Sequence, residues 1–196
     1  MKHKLAKITS VVFHPVLFIL LIPFLVVYHG TADFWYGSKW VIFVCFFLFA
    51  TLFVFFLLQP VEFLTDFDIS NRQKRPVFYT VGLLAAILFF LAAIYFKGIF
   101  FPLTIVSLGI ILGIIIFELA NFYLKVSIHN AIVTAFSITA GILFGFWAFL
   151  IFAWLPVIMI WSRVTLKKHT LLEAITGCIL GGVVTMLTFA IAEMLL

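Results

Sequence analysis

Charge is scarce in this chain: 10% of its 196 residues are Asp, Glu, Lys or Arg, against about a quarter in a soluble domain. Cysteine is nearly absent as well. Cys45 and Cys178 lie inside apolar runs without the paired spacing of a metal knuckle, so both read as small buried hydrophobes and say nothing of redox compartment. No polar, Pro/Ser-rich or low-complexity linker divides the apolar runs, which implies one membrane domain over residues 1–196. What fills the chain is apolar surface: 66% hydrophobic residues, 27 phenylalanines and a mean hydropathy of +1.35. Water cannot be the main solvent of such a protein. The net charge of +5 comes from short clusters between apolar runs, which points to anionic lipid headgroups or phosphate as partners and away from nucleic acid.

A helix needs about 20 apolar residues to cross a bilayer core. The runs Ile8–Tyr28, Trp40–Leu58, Val77–Phe96, Ile99–Phe122 and Leu171–Leu196 qualify, and the fold expected is an all-α polytopic bundle of six or seven helices. The first run, behind Lys2, Lys4 and Lys7, reads as a retained signal-anchor helix with no small-x-small cleavage site. Asp33 and Lys39 are expected in a polar loop after it. The stretch His129–Trp161 is long for one upright span, and two short helices turning near Gly141–Trp147 fit it better.

Three polar clusters interrupt the apolar chain: Asn71-Arg-Gln-Lys-Arg-Pro76, Lys125-Val-Ser-Ile-His129, and Ser162-Arg-Val-Thr-Leu-Lys-Lys-His-Thr-Leu-Leu-Glu173. Arginine offers a fork of donors matched to phosphoryl oxygens, serine a hydroxyl, and histidine a nucleophile or proton donor near neutral pH. Ser127 and Ser162 are expected just before helical turns, where free N–H groups favour an anion. His169 and Glu173, four apart, share a helix face, so the carboxylate can orient the imidazole. Thr170-Leu-Leu-Glu173 also fits a capping box, in which Glu173 satisfies backbone donors. Glu118, Asn121 and Lys125 form a polar stripe at i, i+3 and i+7 that either lines the site or locks helices together. His3, His14 and His29 fit no motif.

The third cluster, Ser162-Arg163, five residues, His169, three residues, Glu173, resembles the third signature of the type 2 phosphatidic acid phosphatases, with Glu in place of its Asp. Val126-Ser-Ile-His129 is similar to that family's second signature at the serine and histidine. Arg75-Pro76 matches the end of its first signature, although Asp68 stands where a lysine belongs. The resemblance spans about residues 68–173 and implies a phosphatase core over about 60–196. By that resemblance His169 would attack phosphorus, Glu173 would orient it, and His129 would protonate the leaving oxygen. Arg75, Arg163 and Ser127 would hold the phosphoryl oxygens, with Arg72, Lys74 or Lys125 restoring the charge lost at Asp68. The substrate would be a lipid or prenyl phosphate or diphosphate, and no metal or cofactor is implied.

Two further readings stand beside it. A degenerate member of the family would bind lipid or serve a structural role without turnover. A prenyltransferase similar to the UbiA family is suggested by the acidic stretch from Thr65, but the chain offers Asp33, Asp66 and Asp68 without the second acidic cluster that a diphosphate–Mg²⁺ site needs. For all three clusters to share one face, seven crossings are required, with the termini on opposite sides. Ten of the twelve Lys and Arg then fall on the motif side, which the positive-inside rule assigns to the cytoplasm, so the expected location is the cell inner membrane with the site facing the cytoplasm.

Overall fold

A computed structural model describes residues 1–58, 75–98 and 101–195. The described residues form nine helices and no strand: α1 Lys2–Val12, α2 Pro15–Thr31, α3 Phe34–Leu58, α4 Arg75–Lys97, α5 Pro102–Asn121, α6 Ile128–Phe144, α7 Phe146–Phe152, α8 Trp154–Thr165 and α9 Leu171–Leu195. With α1–α2 and α7–α8 each taken as one broken rod, six helices are long and apolar enough to cross a membrane, and α6 is a shorter apolar helix of 17 residues. At 1.5 Å per residue α6 is about 26 Å long, slightly under the bilayer core.

The His129–Trp161 stretch does fold as two rods. Gly145, at φ +89°, makes the turn inside the expected Gly141–Trp147 window, because a backbone in that region favours a residue without Cβ. Other boundaries differ from expectation. The first apolar run breaks at Phe13–His14, where Pro15 starts a new helix and removes the N–H that would continue the old one. Lys39 is not in a loop: Asp33 caps α3 by accepting from the Tyr36 N–H at 2.9 Å, so the helix already begins at Phe34. Cys45 is exposed on α3, not buried.

α6 is the centre of the bundle and touches α2, α7, α8 and α9. Phe18, Val133, Phe136, Leu155 and Met159 form the core where α2, α6 and α8 meet. Along α9, Gly177 and Gly181 allow close approach to α6. A Cβ at Gly177 would run into the Ser127 carbonyl and one at Gly181 into the Ala131 backbone, the small-xxx-small packing used between helices in lipid. α3 lies at the periphery against α2 and α4. Only 6% of its apolar window is buried: Phe43 and Phe47 pack on Phe89 of α4, while Phe46, Phe49, Phe53 and Phe56 face outward, as a lipid solvent permits and water does not.

Candidate functional site at the cluster end of the bundle

The starts of α4, α6 and α9 and the ends of α5 and α8 converge at one end, and the linkers 122–127 and 166–170 interlock there. The Ser127 N–H donates to the Glu173 carbonyl at 3.2 Å. Lys125 Nζ donates to the Lys168 carbonyl at 3.0 Å. Arg75, at the first residue of α4, donates from its guanidinium to the Val126 carbonyl at 3.0 Å. Residues 43 to 51 positions apart are thereby tied together, and each described part of the three clusters reaches the same place.

His169 is at the middle of this knot, 8% exposed. Its Nδ1 lies 3.1 Å from the Lys125 carbonyl and 3.4 Å from Glu173 Oε2. Both neighbours are acceptors, so Nδ1 carries the proton and a neutral ring keeps its lone pair on Nε2. The same Glu173 Oε2 accepts from the Thr170 N–H at 2.9 Å, and the Glu173 N–H donates to Thr170 Oγ1 at 3.3 Å. The capping box and the histidine contact therefore coexist on one carboxylate. Burial, followed by the positive charges of Arg163, Lys125 and Arg75, pushes the His169 pKa down to about 4, against a weaker upward pull from Glu173. The imidazole is neutral at pH 7.

A cleft of about 390 Å³ opens beside it, lined by Lys125, Val164, Lys167, Lys168, His169, Thr170 and Glu173. Its cations are lysines. The arginines expected at phosphoryl oxygens are both 2% exposed, and Arg163 donates to Ser10 Oγ at 2.9 Å. Ser127 caps α6: its hydroxyl donates to Asn130 Oδ1 at 2.9 Å and accepts the Asn130 N–H at 3.5 Å. Ser162 departs from expectation. It sits inside the last turn of α8, not before a helix, and donates to the Ala6 carbonyl at 2.7 Å. An anion therefore finds no helix N-terminus at Ser162.

His129 is buried in the first turn of α6, with its ring edge-on to His14 at a centroid distance of 5.3 Å. Asn121 is buried at the end of α5, and Glu118 is half-buried one turn before it. Arg72 and Lys74, with Asp66 and Asp68, lie outside the described residues. Sequence reasoning missed Ser10 and His14, which approach from the broken first helix. The signal available was Pro15, which forces a break immediately after a histidine able to cap.

Compared with protein-family models, curated proteins and solved structures, the chain matches none. The phosphatase resemblance consequently rests on the motif residues themselves.

Proposed function

We propose that this protein is an integral membrane phosphatase acting on a lipid or prenyl phosphate or diphosphate, with its site at the cytoplasmic face. The observation that carries the reading is His169: a neutral imidazole whose Nδ1–H is held by the Lys125 carbonyl and the Glu173 carboxylate, at the wall of a cleft rich in lysine. Fixing Nδ1–H leaves Nε2 as the nucleophilic atom. Lysine ammonium groups at the cleft would attract the phosphoryl anion, and the apolar Val164 beside them suits a substrate whose tail stays in lipid.

In the proposed reaction Nε2 of His169 forms a bond to phosphorus while the ester P–O bond breaks. The leaving oxygen takes a proton from His129, giving a free alcohol and a phosphohistidine. Water then attacks phosphorus and returns a proton to His129, and inorganic phosphate leaves with Nε2 restored. The test is phosphate release by the full-length protein in lipid nanodiscs from a panel of lipid and prenyl phosphates. His169→Ala is expected to reduce it by about 10⁴-fold or more; activity surviving that substitution overturns the mechanism.

A second reading, a lipid-phosphate binding protein without turnover, is favoured by one observation: Arg75, Arg163 and Ser127 all bond to protein atoms. It predicts retention of lipid phosphate with no phosphate released. The cytoplasmic placement follows from the lysine-rich site end. A Lys167→Cys variant labelled by an impermeant reagent in intact cells would contradict it.

A further inference from the structure

We propose that His14 is a positioning residue for His129, so that the elbow between α1 and α2 completes the site; this rests on the proposed phosphatase reading. Two contacts bring the elbow there. α1 runs antiparallel along α8, with Ala6 accepting from Ser162 and Ser10 accepting from Arg163, and Phe13 meets Trp154 edge-on at 5.8 Å. That anchoring sets where the chain turns into α2. At the turn, His14 Nδ1 accepts the Val16 N–H at 3.4 Å, which caps α2 and fixes which face of the ring is presented. The ring then stands against His129 at 84° and 5.3 Å between centroids.

The two jobs of His14 use different parts of it. Capping needs an acceptor on the side chain, whereas the contact with His129 needs a flat ring. His129 is the proposed proton donor to the leaving oxygen, and small errors in the placement of such a group cost rate more than binding. Nothing in the spacing of the polar clusters includes His14. The break at Pro15 and the fold of α1 onto α8 bring it in.

The two jobs can be separated by substitution. His14→Asn keeps a capping acceptor and loses the ring; His14→Phe keeps a ring and loses the acceptor. In nanodiscs with phosphatidate as substrate, His14→Asn is expected to keep the wild-type melting temperature while kcat falls about tenfold and KM stays within about twofold. His14→Phe is expected to melt a few degrees lower yet recover most of the turnover that the Asn variant loses. A purely structural His14 gives the opposite pattern, with Asn active and Phe impaired in both, and overturns the proposal. A second measurement does not depend on turnover: carbethoxylation of His129, followed by mass spectrometry of the full-length protein. His129 should react several-fold faster in His14→Asn than in the wild type or His14→Phe. Equal rates in all three overturn the proposal even where phosphate release is seen. Faster modification in the Asn variant of a protein that releases no phosphate supports the His14–His129 placement and sinks the phosphatase reading instead.

Discussion

The two ends of the bundle are built differently. At the cluster end, linkers far apart in sequence are joined by directed hydrogen bonds: Lys125 to Lys168, Arg75 to Val126, and Ser127 to Glu173. At the other end the connections are short and local. Ala32 and Gly98 both take positive φ where α2 and α4 stop, and Gly145 turns α6 into α7. Rings meet there beside short-range hydrogen bonds such as Thr104 Oγ1 to the Gly98 carbonyl at 3.1 Å: His29 with Phe144, Tyr36 with Phe101, and Lys97 over the Tyr36 ring at 5.4 Å. Trp35, Tyr95 and Trp147 are exposed around that rim, as aromatic side chains are at a membrane interface. The difference teaches where specificity sits. An aromatic rim tolerates changes of contact, whereas a hydrogen-bonded knot requires its partners in register.

That contrast predicts a steep gradient of mutational cost. The largest effect is expected at Gly181, which lies below the knot and lets α9 approach α6. Gly181→Leu would drive a side chain into the Ala131 backbone, which cannot swing aside as a flexible side chain does. A loss of about 3 kcal/mol or more is expected, read as loss of monodisperse folded protein on size exclusion in detergent.

Next is Lys125→Met, which keeps the aliphatic stem and removes both the Lys168 contact and a positive charge beside His169. About 2 kcal/mol of stability should go with the charged hydrogen bond. The His169 pKa, depressed partly by Lys125, should rise. The acid limb of the proposed phosphate release then moves upward from about 4 toward 6.5, and an unmoved limb would show that Lys125 does not act on His169, the proposed nucleophile.

The same depressed pKa makes stability depend on pH. An unfolded His169 takes up a proton as pH falls below 6.5, while the folded one resists until about 4. Its contribution is therefore complete above 6.5 and is lost as pH falls toward 4. The wild type should lose melting temperature across that window, and His169→Gln should lose less, in parallel melts in nanodiscs.

The apolar fold was legible because lipid imposes a simple rule: about 20 apolar residues make a span, and Gly145 marks the turn that the length of His129–Trp161 demands. The convergence of Arg75, Lys125 and His169 was legible too, through the order and spacing of the polar clusters. What spacing could not convey was how each side chain is used. Ser162 and Arg163 look like phosphate ligands in a linear pattern, yet their hydrogen bonds go to Ala6 and Ser10, more than 150 residues away. Such contacts depend on how α1 folds back along α8, which no local periodicity encodes. The dual role of Glu173 was hidden for another reason. The capping box and the i, i+4 pair use the same four-residue frame, and only coordinates show one oxygen serving both.

The smallest effect belongs to the aromatic end. Gly98 sits at φ +85° after α4, its N–H donating to the Ile94 carbonyl at 2.8 Å. A Cβ there meets nothing within 4 Å, so Gly98→Ala pays no steric penalty against neighbours and loses only conformational ease, about 1 kcal/mol. An added Cβ therefore has different consequences at the two glycines: at Gly181 it meets a backbone, at Gly98 open space. Phosphate release by Gly98→Ala should stay within about twofold of wild type after correction for folded protein, since Gly98 lies past the opposite end of α4 from Arg75 and distant sites act independently. A tenfold loss at Gly98 would mean that the two ends are coupled through α4 to Arg75, and the division between a tolerant rim and a demanding knot would have to be abandoned.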